Sequence, residues 1–296
     1  GLSAKDLAAL AALPPLPSQS TPQQVVADRL QARSSVMNSQ YSLAEGAGSQ
    51  DIVPTLIYDE IDSTNAQALR AVNEGREAPF LVLAERQSAG RGRRGRNWSS
   101  PFAENLYYSL VLRIEGGMRQ LEGLSLVVGL AVMQTLRSAG VGTAGLKWPN
   151  DVLVGEKKIA GILLELVGDP ADVCHVVLGV GINVNMREAH EVDQQWTSMH
   201  LEAGRAYDRN RLVAHLSGVL GKYLMRHQSE GFSALQAQWE HGHLWQGRSV
   251  SLIAGVNRID GVVVGIDAQG ALRLKVDGVE KVFSGGELSL RLRDDS

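Results

Sequence analysis

The chain lacks several features that define common protein classes. Its 296 residues contain one cysteine, Cys174, which excludes an internal disulfide and fits a reducing compartment such as the cytoplasm. No run of eighteen apolar residues occurs, which excludes a membrane-spanning helix. The first residues lack the basic start and apolar core of a secretory signal. The net charge of −3 argues against a dedicated nucleic-acid binder, because such proteins usually carry a basic domain.

What the chain does contain is enough apolar sequence for a large core. With 44% hydrophobic and 21% charged residues, it predicts a globular protein of two or three domains. Residues 1–50 are rich in Ala, Ser and Gln and form the first predicted unit, and residues 51–244 form the second. From Trp245 to the end, short β-rich runs alternate with glycine-containing turns. Such spacing in about fifty residues predicts a small SH3-like barrel over 245–296.

Helix and strand signals alternate in the middle region, which predicts an α/β (α+β) fold with a mixed sheet. Helices are predicted over 65–74, started at Ser63 or Thr64, and over 119–139, 210–229 and 231–241. The predicted strands cover 55–60, 80–86, 105–114, 145–147, 151–154, 158–167 and 174–185.

Residues 87–98 form the most informative segment, with four arginines and three glycines in the seven residues of 90–96. Glycine lets a backbone approach a ligand closely, and arginine offers a fork of donors to carboxylate or phosphate oxygens. The segment therefore predicts an anion-binding loop. It also matches the dinucleotide pattern G-x-G-x-x-G, but Gly95 leads into turn-forming residues instead of a helix. A solvated basic loop and an RNA-binding arginine–glycine segment remain as alternatives.

Four further motifs could contribute chemistry, although each also has an ordinary structural interpretation. Asp62–Asn65 stands where a strand enters a helix and could simply cap that helix. Lys147–Asp151 presents a lysine, an amide and a carboxylate from one proline turn, and such groups suit phosphate and Mg²⁺. Lys158 begins an otherwise apolar strand, where a charge needs a partner. Gly179–Asn183 ends an apolar strand with glycines that allow close approach.

Taken in order, these motifs resemble those of the bacterial biotin protein ligases, which attach biotin to acetyl-CoA carboxylase. The resemblance extends from about residue 55 to 293 and includes the Gly-Gly-Glu287 segment. It implies a mixed-sheet catalytic domain of the class II synthetase-like biotin/lipoate ligase type. It also implies that biotin and ATP form biotinyl-5′-AMP with release of pyrophosphate, and that biotin then passes to a lysine of the biotin carboxyl carrier protein. Such chemistry needs positioning and electrostatic stabilisation, with no enzyme nucleophile.

The resemblance also assigns site residues. The head group of biotin would be held by Ser63, Thr64, Asn65 and Gln87. The loop would close over biotin and the adenylate phosphate through Arg91, Gly92 and Arg93. The catalytic set would be Lys158, Arg93 and Lys147, with Lys158 bridging the biotin carboxylate and the α-phosphate. ATP or the adenylate would be bound by Gly90, Arg94, Arg96, Trp98, Lys147, Asn150, Asn183 and Arg291. Asp151 would be a ligand for Mg²⁺.

The N-terminal segment departs from the family pattern. Residues 22–46 resemble a degenerate helix-turn-helix, without a recognisable wing and with few basic residues. Alternatively, residues 2–7 resemble a linking helix, and 12–50 would then be an insertion. DNA and a second copy of the chain are therefore further candidate partners. A biotin-operon repressor and a lipoate ligase remain as alternatives to the main hypothesis.

Overall fold

The computed structural model describes residues 53–189, 192, 194–284 and 288–293. The predictions for residues 1–50 and for the Gly285–Glu287 segment lie outside these ranges. In the described ranges we find no helix with the length and apolar character needed to cross a bilayer.

The central element is a mixed sheet of seven strands among the described residues. In chain order the strands are β1 (Thr55–Ile61), β2 (Phe80–Gln87), β3 (Leu106–Glu115), β4 (Ala144–Lys147), β5 (Asp151–Val154), β6 (Lys157–Gly168) and β7 (Val173–Ile182). Their order across the sheet is β1-β2-β3-β7-β6-β5-β4. β1 and β2 run parallel, and every other neighbouring pair is antiparallel. The predicted mixed sheet is confirmed.

Helices cover both faces of this sheet. They are α1 (Thr64–Asn73), α2 (Leu124–Ser138), α3 (Met199–Ala203), α4 (Arg209–Glu230) and α5 (Gln236–Gly242). α1 packs on the face that carries Val82 and Val111, and α2 packs on the opposite face, which carries Leu81 and Leu110. The two faces are separate because successive strand residues point in opposite directions. α4 packs on α2 and completes the second layer.

Three predicted boundaries were wrong, each because the predicted range includes residues outside the regular helix or strand. The helix predicted over 119–139 begins only at Leu124, since Gly123 has φ +65° and 118–120 form a separate 3₁₀ turn. The strand predicted over 174–185 ends at Ile182, where the backbone turns to bond residues outside β7. The helix predicted over 231–241 is a 3₁₀ turn at 232–234 followed by α5. The short helix α3, with Ser198 as its N-cap, had not been predicted.

The described residues of the C-terminal region form a five-stranded antiparallel sheet, as expected for a small SH3-like unit. Its strands are β8 (Ser249–Ala254), β9 (Asn257–Ile266), β10 (Leu272–Val276), β11 (Val279–Phe283) and β12 (Leu288–Leu292), in the order β11-β10-β9-β8-β12. It is tied to the large sheet, because the Trp148 indole N–H donates to the Gly270 carbonyl at 3.0 Å. The predicted domain limit at 244/245 falls between α5 and β8 and stays a prediction.

Candidate active site

Two adjoining cavities open above the middle of the large sheet, next to the start of α1. The smaller is lined by the start of α1 and by the central strands β6 and β7, and the larger extends toward β12 of the small sheet. Six residues line both: Gln87, Gly92, Arg93, Trp98, Asn150 and Lys158. Every site residue predicted from the sequence lines one of the two cavities, apart from Arg291.

A hydrogen-bonded network forms the polar end of the smaller cavity. The Thr64 backbone N–H donates to Gln87 Oε1 at 2.9 Å, so β2 fixes the first turn of α1. The Ser109 hydroxyl, fully buried on β3, lies 2.8 Å from Thr64 Oγ1 and 2.6 Å from Asn65 Oδ1. Ser63 caps α1, its Oγ accepting from Ala66 N at 3.4 Å. Because these polar groups are buried and paired, their orientations are set before a ligand arrives.

Glycines on β7 leave space for this network and for Trp98 of the arginine–glycine segment. A Cβ on Gly179 would lie 2.4 Å from Asn65 Oδ1, and one on Gly181 would lie 2.7 Å from the Trp98 ring. Both distances are shorter than real Cβ contacts. The close approach predicted for the glycine-rich strand end is therefore present, and it is made by the protein's own side chains.

The arginine–glycine segment folds back over the cavities as a tight loop. Gly92 N donates to Arg96 O at 2.7 Å, and residues 93–95 form one 3₁₀ turn with Arg94 at φ 59°. Gly95 leads into extended backbone at Arg96, so the dinucleotide-binding interpretation is excluded. Arg93 reaches furthest, since its guanidinium donates to Asn150 Oδ1 at 3.0 Å and to the Leu288 carbonyl of β12 at 3.3 Å.

Two lysines converge on one carboxylate where the cavities meet. Lys158 Nζ lies 2.8 Å from Asp151 Oδ1, and Lys147 Nζ lies 3.8 Å from Asp151 Oδ2. All three side chains are at most one-fifth exposed. Burial lowers the pKa of Lys147, and so do the nearby charges of Lys158, Arg291 and Arg96, whereas the Asp151 carboxylate raises it. The sequence indicated no partner for the charge of Lys158, and the structure pairs it with Asp151.

Aromatic rings complete the walls around these ammonium groups. Lys158 Nζ lies 5.3 Å from the centre of the Trp98 ring, and Lys147 Nζ lies 5.0 Å from that of Trp245. A cation over an aromatic face is stabilised by the ring's negative charge density. The Trp98 indole N–H is buried, and no acceptor lies within reach among the described residues.

The other residues predicted to bind ATP or the adenylate differ in how they lie relative to the larger cavity. Asn150 Nδ2 donates to the Ile162 carbonyl at 2.7 Å, which leaves its Oδ1 for Arg93. Asn183 Nδ2 donates to the Thr197 carbonyl at 3.0 Å and lines the larger cavity. Arg291 is exposed on β12, one residue beyond the cavity edge at Leu288–Leu290.

The Lys147–Asp151 turn is held from behind by a buried histidine. His243 Nε2 accepts from the Trp148 backbone N–H at 3.4 Å, and His243 Nδ1 lies 3.4 Å from Gln246 Oε1. The pKa of His243 is lowered to about 4, because the effect of burial outweighs the opposing hydrogen bond with Gln246. His243 is therefore neutral near pH 7, as an acceptor of this hydrogen bond must be.

Comparison with known proteins identifies the family. The model of the biotin/lipoate A/B protein ligase family matches residues 58–183, and that of the biotin protein ligase C-terminal domain matches 247–291. The bifunctional ligase/repressor BirA of Salmonella typhimurium is 45% identical over 78% of this chain and 72% of its own length. The chain belongs to the biotin protein ligase family.

Other members of the family agree with this assignment. The biotin–[acetyl-CoA-carboxylase] ligase of Paracoccus denitrificans is 36% identical over 77% of this chain and 96% of its own length. The solved biotin protein ligase of Aquifex aeolicus, in complex with biotin and ATP, superposes with a TM-score of 0.72. It shares 31% identity and covers 81% of this chain and 99% of its own. The fold class predicted from the sequence is confirmed.

Ser109 and Glu165 bond to side chains of the site but had not been predicted. Ser109 lies between Tyr108 and Leu110 on β3, and Glu165 is the lone carboxylate of β6. Glu165 Oε2 accepts from Asn65 Nδ2 at 2.9 Å and from Arg91 Nη2 at 3.0 Å. A polar side chain placed among apolar neighbours within a strand was the signal that could have indicated both.

Proposed function

We propose that the protein is a biotin–[acetyl-CoA-carboxylase] ligase that first activates biotin with ATP. A biotin carboxylate oxygen attacks the α-phosphorus, the bond from that phosphorus to the β-phosphate oxygen breaks, and pyrophosphate leaves. An amine of the acceptor lysine then attacks the acyl carbon, AMP leaves, and the amine loses a proton. The observation that supports this most directly is the convergence of Lys147 and Lys158 on Asp151, where the smaller cavity meets the larger one.

The charge arrangement suits the first step. A carboxylate and a phosphate repel each other, so the site must supply fixed positive charge and exclude water. Lys158 would bridge the biotin carboxylate and the α-phosphate, with Arg93 and Lys147 beside it. Each of these residues lines the larger cavity. Because the two lysines already share Asp151, the site keeps both ammonium groups in place without substrate.

Biotin and ATP would bind at opposite ends of the site. Biotin would lie in the smaller cavity, with Arg91 and Gly92 over it and its head group held by Ser63, Thr64, Asn65 and Gln87. Of these, Asn65 offers an acceptor, because both of its N–H donors are used within the protein. ATP would occupy the larger cavity, with Gly90, Arg94, Arg96, Trp98, Lys147, Asn150, Asn183 and, from the edge, Arg291 around it.

Asp151 fits a role at Mg²⁺. Magnesium in nucleotide sites usually takes one or two carboxylates together with substrate phosphates and water. Asp151 is a single carboxylate beside the proposed phosphate position, and no group of three or more candidate metal-binding side chains occurs in the described part of the chain. When bound, the ion would neutralise phosphate charge. The protein's own contribution is to hold that carboxylate between two lysines.

The acceptor would be the biotin carboxyl carrier protein, and the cytoplasm would be the place of reaction. Support for the acceptor comes from the relatives named biotin–[acetyl-CoA-carboxylase] ligase. Support for the compartment comes from the single cysteine, which is buried and unpaired.

Biotin-dependent exchange of pyrophosphate into ATP tests the first step directly. We expect exchange with biotin and none with lipoate or octanoate, which would exclude a lipoate ligase. Absence of exchange with biotin would contradict the proposal. Transfer to the carrier protein is then followed by mass spectrometry of the acceptor lysine.

A repressor function has separate support in the relatives named bifunctional ligase/repressor. The residues expected to bind DNA, 22–46, lie outside the described ranges. Salt-dependent binding to a palindromic operator, with and without biotin and ATP, tests this alternative.

A further inference from the structure

Glu165 occupies an unusual position for a carboxylate. It lies on β6, in a stretch of otherwise apolar residues, and its side chain is 23% exposed. One oxygen, Oε2, accepts from two residues of the smaller cavity: Asn65 Nδ2 at 2.9 Å and Arg91 Nη2 at 3.0 Å. It therefore connects the cavity floor to the arginine loop.

The contact with Asn65 determines how that amide is turned. A carboxylate only accepts hydrogen bonds, so it selects the amide nitrogen as its neighbour. The second N–H of Asn65 donates to the Leu163 carbonyl at 3.2 Å, and its Oδ1 lies 2.6 Å from Ser109 Oγ. With both donors used, Asn65 presents only its oxygen to the cavity.

The contact with Arg91 acts on the loop. Arg91 is half-exposed, and its backbone forms an isolated bridge with Asn97 at the base of the loop. Its ion pair with Glu165 joins residues 74 positions apart, so it restrains the loop against the sheet. Because the pair is partly solvated, it stabilises this position modestly and can open for a ligand.

We propose that Glu165 is a positioning residue that fixes the acceptor face of Asn65 and holds the arginine loop at the cavity. It does not contact the reacting atoms. The effect on biotin use rests on the proposed function, whereas the effect on the loop does not.

Two variants separate the two contacts. Glu165→Gln keeps an acceptor for Asn65 but removes the charge that holds Arg91, whereas Glu165→Ala removes both. The matched control is Glu280→Gln, which breaks a glutamate–arginine pair of 2.7 Å on the small sheet.

The restraint on the loop is tested by limited trypsin digestion of the ligand-free full chain. Mass spectrometry measures the rate of cleavage after Arg91, Arg93, Arg94 or Arg96. We expect both Glu165 variants to be cleaved about three times faster than wild type, as for loss of a partly exposed pair of under 1 kcal/mol. The Glu280 control should match wild type. Unchanged cleavage in both Glu165 variants would overturn the loop restraint.

The effect of Glu165 on the Asn65 amide is tested through the KM values for biotin and ATP in steady-state pyrophosphate exchange. Glu165→Ala should raise KM for biotin about tenfold, the loss expected for one charge-assisted hydrogen bond, with KM for ATP within twofold. Glu165→Gln should retain most of the biotin affinity. A wild-type KM for biotin in Glu165→Ala, or an equal rise for both substrates, would overturn the positioning role. If wild-type protein shows no exchange at all, the proposed function fails while the digestion still tests the restraint.

Discussion

Replacing Lys158 by alanine should abolish biotin activation while leaving the fold intact. The Lys158 side chain is only 17% exposed, so the interaction of its ammonium group with a phosphate oxygen is weakly screened. Two unit charges about 4 Å apart gain about 4 kcal/mol at an effective dielectric of about 20. That energy corresponds to about a thousandfold in rate, similar to the loss of one oxyanion-stabilising group.

The stability cost of the same change should be small. Removing one member of a buried ion pair costs about 3–5 kcal/mol when the remaining charge is left alone. Here Asp151 keeps Lys147 at 3.8 Å, so we expect a loss of about 1–2 kcal/mol. A melting curve with one transition, a few degrees below that of wild type, checks this expectation.

The assay is biotin-dependent pyrophosphate exchange at saturating biotin and ATP, with Lys157→Ala as the control. Lys157 is the preceding residue on β6, but it is exposed and lines neither cavity. We expect wild-type exchange from this control and a drop of at least a hundredfold from Lys158→Ala. Exchange within threefold of wild type in a folded Lys158→Ala protein would refute the assignment.

Three more outcomes follow from the same geometry. Gly179→Ala places a methyl group 2.4 Å from Asn65 Oδ1 and should raise KM for biotin more than tenfold, while Gly142→Ala, with open space around it, should not; equal KM values would contradict the packing argument. His243 has a pKa of about 4 when folded and about 6.5 when unfolded, so the unfolded chain binds more protons between these values. Stability should therefore fall from pH 6.5 to pH 4 by up to about 3 kcal/mol in urea titrations, and a His243→Gln protein that retains the whole pH dependence would disprove it. Asp151→Asn should raise the Mg²⁺ concentration for half-maximal exchange about tenfold, and an unchanged requirement would count against the metal role.

The local chemistry of the site was accessible from the sequence because it depends on neighbours along the chain. Ser63 caps α1, Pro149 places a lysine and a carboxylate on one turn, and the glycines of 90–95 shape the loop. Each of these follows from a residue's own conformational preference or from a spacing of a few residues. The prediction of a mixed sheet succeeded for the same reason, since strand and helix signals are local.

What could not be predicted depends on contacts between segments that are far apart in the sequence. Asn65 meets Glu165 across 100 positions, and Arg93 meets the Leu288 carbonyl across 195. No periodicity encodes such pairs, because sheet order determines which strands become neighbours. The late start of α2 is a different failure. The helix was predicted from residue 119, but the left-handed backbone of Gly123 sets its first residue at Leu124.

The hydrogen bond from the Trp148 indole to the Gly270 carbonyl has a consequence for how the molecule unfolds. Trp148 adjoins Lys147 and is almost fully buried. Separation of the small sheet from the large one would therefore leave the indole N–H without an acceptor and expose a large apolar surface. The two sheets should then lose structure together, in a single calorimetric transition with equal van't Hoff and calorimetric enthalpies. The C-terminal unit is consequently a poor candidate for exchange as a module between proteins, even though its strands form a sheet of their own.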